Sequence, residues 1–192
     1  AYVNLDLMPD RWAEFWLLTS LICLVAYIAV ALRLQSSFFG YLVATAAGSV
    51  VLSAIEVGEQ AGAISRDWYP AGLSVLSLAL MVLAAYLERH KDRQQGRPRS
   101  RWQVYIGSFR IYGLLMAGVV MALAAGWRYV DRAEYDTLHR STTAAWWIGG
   151  LLLGWGAVLY RSWTLGLLSA IAMPAAVYLL QADLFHSLEI GR

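Results

Sequence analysis

AVALRLQSSFFGYLVA, residues 29–44, is two apolar runs joined by a short hinge that carries Arg33, Gln35, Ser36 and Ser37. The run before the hinge begins near Trp12, and the run after it reaches about Val57. Each has the length, roughly 20 residues, that a helix needs to cross a hydrocarbon layer about 30 Å thick. The stretch therefore reads as the tight turn of a transmembrane helical hairpin.

Working outward, six segments meet the same length criterion: about 12–33, 37–57, 68–88, 105–128, 142–160 and 163–182. The composition agrees. Of 192 residues, 59% are hydrophobic and only 15% are charged, with a mean hydropathy of +0.52; soluble domains are nearer a quarter charged. The expected fold class is an all-α integral membrane protein of about six transmembrane helices. Its organisation is a first helix array over 1–88, a basic linker over 89–104 and a second array over 105–192, ending in an interfacial tail or the lead-in to a further span. The single cysteine, Cys23, lies inside an apolar run, so no intrachain disulfide forms.

The net charge of +2 conceals an asymmetry. With six spans the loops alternate sides. One side holds nine basic residues against two acids, and the other six against eleven. The strongest run is ERHKDRQQGRPRSR, residues 88–101, with Arg89, Lys91, Arg93, Arg97, Arg99 and Arg101. Basic loops stay in the cytoplasm. These six residues are therefore expected to set topology, with both termini on the extracytoplasmic side of an inner membrane. The run reads as a linker rather than a nucleic-acid patch, because Gln94, Gln95, Gly96 and Pro98 break it up. Tryptophans 12, 16, 68, 102, 127, 146, 147 and 163, together with Tyr69, fall near span ends, where amphipathic rings favour the headgroup level. Trp155, inside a span, is expected to pack.

The opening stretch is written a second time. AVLYRSWTLGLLSA, residues 157–170, repeats Ala29-Val30-x-x-Arg33 at an offset of 128 and Gly40-x-Leu42-x-Ala44 at an offset of 126. Phe15-Trp16 and Trp146-Trp147 correspond at 131. Self-similarity at a fixed spacing is the mark of a repeat array. The register predicts a parallel duplication of a four-helix unit of about 130 residues. These 192 residues would then be a window cut across two such units, an expectation the missing initiator Met also prompts. Aromatic outer loops, Arg-marked inner turns and small-residue helices together resemble uncharacterised bacterial polytopic membrane proteins built from tandem transmembrane-helix repeats. That resemblance implies architecture and brings no active-site residues with it.

Small residues recur at helical spacing: Gly40, Ala44 and Gly48; Gly113, Ala117 and Gly118; Gly150 and Gly154. Helices in lipid associate through close backbone approach at such faces, so these positions are expected to pack helices together. Pro174 removes a backbone donor in mid-span and is expected to kink its helix. Charged groups inside a span are costly and point to function. Glu56 is the best such candidate for ion or proton handling. It stands about one turn from the end of its span, within reach of Arg66 or Arg128. Arg110, near the opposite end, is expected to snorkel.

No G-x-S-x-G, H-E-x-x-H or P-loop pattern occurs, and no Cys/His arrangement. The three histidines, His90, His139 and His186, do not face one another within a span. No enzymatic activity, cofactor, metal or nucleic-acid partner is expected. The reading is a non-catalytic membrane-embedded structural or assembly subunit, whose partners are the bilayer and other membrane chains or further repeats. The alternative is a transporter or channel module using Glu56 near an outer vestibule.

Overall fold

The computed structural model describes residues 11–93, 104–130 and 135–190, and it is helical throughout. Six helices follow in order: α1 (Trp12–Leu34), α2 (Ser37–Gln60), α3 (Tyr69–Arg93), α4 (Ile106–Val130), α5 (Tyr135–Tyr160) and α6 (Trp163–Ile190). All six contain a segment long and apolar enough to cross a membrane. Several outrun the apolar windows. α3 continues from Leu87 through Arg93, and α6 continues without a break through the expected interfacial tail to Ile190. Arg89 is exposed on the last turns of α3, and Lys91 and Arg93 belong to the same helix. Arg97, Arg99 and Arg101 lie outside the described residues.

The helices form a file of antiparallel hairpins. α1 packs chiefly on α2, α3 on α4 and α6 on α5, and the hairpins join through α2 with α3 and α4, and through α5 with α3 and α4. The middle of the file is well packed, whereas the two end helices show most of their surface. The interior joins small residues to a few large ones. Ala31, Ala44, Ala84, Tyr105 and Phe109 meet in one cluster; Met81, Ala117 and Leu152 meet in another, against which Trp155 packs.

Hydroxyl groups tie the hairpins. Ser49 accepts from the Trp16 indole N–H at 3.1 Å and shares a 2.7 Å hydrogen bond with Ser20, fixing α1 to α2. Tyr105 donates to the Ala31 carbonyl, and Ser108 donates to that of Ser37 at 2.7 Å. These two bonds seat the start of α4 across the α1–α2 turn. The Ala71 N–H, at the start of α3, donates to the buried Ser141 hydroxyl of α5 at 3.3 Å. A first-turn amide has no partner within its own helix, so α5 supplies one.

Candidate functional site

The turn between α2 and α3 builds the site. Gly62, at φ +69°, ends α2: its own N–H bonds the Glu59 carbonyl at 2.8 Å, and the Ala63 N–H bonds that of Gly58 at 2.8 Å. This pair of bonds is the glycine-dependent helix stop that needs a left-handed residue. Ser65 then opens a 3-10 turn over Arg66–Trp68, accepting from the Asp67 N–H at 3.2 Å and donating to the Asp67 carboxylate at 2.8 Å. Pro70 follows in the first turn of α3, where its missing N–H costs no helical bond. The chain thus doubles back over the end of α2 and lowers Arg66 and Tyr69 onto Glu56.

Glu56 is only 4% exposed. The Arg66 guanidinium grips it with both forks, Nε to Oε1 at 2.8 Å and Nη2 to Oε2 at 3.0 Å. The Tyr69 hydroxyl donates to Oε1, and Glu59 also pairs with Arg66. A carboxylate deprived of water needs a cation and hydrogen bonds together, and this one has both. The structure pairs Glu56 with Arg66, one of the two arginines in sequence range; the side chain of Arg128, the other, lies outside the described residues. The sequence placed Tyr69 only in the aromatic belt at the headgroup level; its bond to Glu56 went unread, although a phenol thirteen residues on becomes adjacent once Gly62 stops α2 in place. Glu56 and Tyr69, with Trp16, Leu52, Pro70, Leu73, Val120 and Leu123, line a cavity of about 300 Å³ among α1, α2, α3 and α4.

At the opposite end Arg110 finds a partner on the neighbouring helix. Its side chain is 13% exposed and turns inward across α3–α4 to pair with Glu88. That pairing links residues 22 apart in sequence, so only the register of the two helices brings them together.

The small residues divide. A Cβ on Gly40 would lie 2.8 Å from the Ser108 Cβ, and one on Gly113 would lie 3.0 Å from Met81 Cγ and 3.1 Å from the Ser77 carbonyl oxygen. One on Gly150 would stand 3.0 Å from Met173 Sδ, and one on Gly154 2.9 Å from Ser169 Oγ. Ala44 and Ala117 are buried. Gly48 is buried too, yet its nearest neighbours are 3.8 Å away, which is ordinary contact. Gly118 faces outward with nothing near it and takes no part in packing. Gly149, absent from the sequence-based set, makes a closer approach than any of these: a Cβ there would stand 2.6 Å from Met121 Cγ. Pro174 is exposed within a helix that continues on both sides of it.

No family model, curated protein or solved structure matches this chain.

Proposed function

We propose that the chain is a non-catalytic, membrane-embedded structural or assembly subunit that packs against other membrane chains or further repeats of its own kind. One observation carries this reading: the helix face that is covered on α2 stays partly open in the corresponding positions of α6. α2 and α6 both start after a two-residue turn whose first residue is left-handed, Gln35 at φ 49° and Arg161 at φ 48°. Counted from those turns, Gly40 and Ala44 of α2 stand where Gly166 and Ala170 stand on α6, in the 126-residue register of the sequence match. On α2 that row seats α4, with Gly40 against Ser108 and Ala44 fully buried. On α6 Gly166 is half-buried and Ala170 exposed. The parallel supports a duplicated unit, and it supports a missing neighbour for α6. The same reading places the basic loops in the cytoplasm of an inner membrane and both termini outside, on the charge asymmetry of the sequence.

Native mass spectrometry of particles released gently from membrane tests the proposal. Wild type is expected to carry a further membrane chain or to have a larger chain mass, and Ala170→Leu is expected to release an attached chain while the helical hairpins survive. A bare chain of 21.3 kDa in both cases would overturn it.

The alternative is a transporter or channel module using Glu56. The cavity beside Glu56 favours it; the grip of Arg66 and Tyr69, which neutralises the carboxylate, weighs against it. Glu56→Gln decides between the two. Loss of a pH-dependent flux with assembly intact would make transport the function, and unchanged flux would exclude it.

A further inference from the structure

We propose that the cavity beside Glu56 binds one acyl chain of a lipid, entering sideways between α1 and α4. The walls are Trp16 of α1, Leu52 of α2, Leu73 of α3, and Val120 and Leu123 of α4, and the Glu56–Tyr69 pair completes the lining. The volume of about 300 Å³ is roughly twice that of the apolar void known to hold a benzene-sized guest. About a dozen carbons in line therefore fill it.

Two features set the ligand class. First, the polar groups on the wall are engaged with each other. Glu56 receives Arg66 and Tyr69, and the Trp16 N–H donates to Ser49. Water needs two to four hydrogen-bond partners to settle in a cavity, and a sugar, nucleotide or amino acid entering here would give up hydration without replacing it. An alkyl chain loses nothing of that kind and gains dispersion contacts along its length. Second, the void lies between two helices that leave room for an entrance. α1 and α4 both wall the void without packing extensively against one another, and Leu123 is exposed on the outer side of α4. An entrance there meets the apolar layer. Tyr69 and Pro70 line the void beside Glu56. Beside Arg66, Glu59 and Asp67 leave that rim net negative, so it disfavours an anionic headgroup; the chain of a zwitterionic lipid fits.

The inference rests on the membrane-spanning reading, and the experiment separates the two. The full chain is reconstituted into phosphatidylcholine vesicles doped with a phosphatidylcholine bearing a mid-chain diazirine, irradiated and mapped by peptide mass spectrometry. Adducts are expected on Ile171 and Tyr178, exposed residues of α6 that surrounding lipid reaches, and also on Val120, which lines the cavity and is otherwise buried. Leu73→Trp, which fills the void, is expected to abolish the Val120 adduct and leave the α6 adducts unchanged; Leu52→Phe serves the same purpose if that variant does not fold. Adducts on α6 without any on Val120 in wild type would overturn the acyl-chain site. Absence of adducts on α6 as well would overturn the membrane-spanning reading beneath it. Labelling of Leu73→Cys by a water-borne maleimide in the vesicles would also overturn the proposal, because the void would then be an aqueous vestibule.

Discussion

A single methyl group separates the two kinds of glycine in this bundle. At Gly40 the obstacle to a side chain is the Ser108 Cβ, which is fixed to its backbone and cannot swing aside. Gly40→Ala must push α4 away from α2 and strain the bond from Ser108 to the Ser37 carbonyl. Overpacking of this sort costs about 1–3 kcal/mol, which thermal unfolding in detergent would read as a clear drop in midpoint. Gly48→Ala, with neighbours at 3.8 Å, is expected to stay within about 0.5 kcal/mol of wild type. The sequence marked both glycines by spacing alone, and spacing does not carry the depth of the facing helix. For the same reason it included Gly118, which faces outward, and passed over Gly149, which the Met121 side chain overlies.

Glu56 was legible because a carboxylate near the end of an apolar run must find a partner. Which partner depends on where the chain turns. Arg66→Gln would strand the carboxylate and lower the unfolding midpoint, since breaking a buried pair from one side leaves a charge without compensation. Adding Glu56→Gln should restore part of the loss, because the amide oxygen can still accept from Tyr69. A double-mutant cycle on unfolding midpoints measures this coupling. Additive single effects would mean that the pair contributes nothing to the fold.

At the scale of elements, the spans and most of their ends were readable from hydropathy, but the ends of α2, α3 and α6 and the start of α5 were not, because those helices run on past the apolar window. An apolar window marks where a helix could cross a bilayer, whereas the helix stops where its hydrogen bonding is interrupted. α2 ends at Gln60 through Gly62, and α1 ends through the left-handed Gln35, whose N–H bonds the Ala31 carbonyl at 3.0 Å. Contact between elements follows a similar division. Small residues announce that helices approach, but the hydroxyls that fix register are ordinary serines in sequence. Ser49 is the clearest case, since it receives Trp16 and meets Ser20 across the α1–α2 contact. Ser49→Ala removes both bonds. At about 0.6 kcal/mol for each such interhelical bond, roughly 1 kcal/mol is expected, seen as loosened protection of the α1 amides in hydrogen exchange while α4 and α5 keep theirs.

At the scale of the whole molecule, the file of hairpins fixes relative sides and leaves absolute orientation to charge. The turns at Gln35–Ser36 and Arg161–Ser162 must lie at the same end of the bundle, because four helices separate them. The Gly62–Ala63 turn must lie at the other, one helix away. In a Cys23→Ala background, a single cysteine at Ala63 and another at Ser162 turn this parity into a measurement. Ala63 is exposed, and Ser162 is half-buried in its turn. With nine basic residues on the side of Ser162 against six on the side of Ala63, and two acids against eleven, retention of the basic side orients the bundle. A membrane-impermeant maleimide applied to intact cells is expected to label the Ala63 cysteine at once and the Ser162 cysteine only after permeabilisation. The reverse pattern would turn the protein over and place the Glu56 end in the cytoplasm. Labelling of both in intact cells would mean that one of the six helices does not cross, and the parity on which the helix file depends would fail with it.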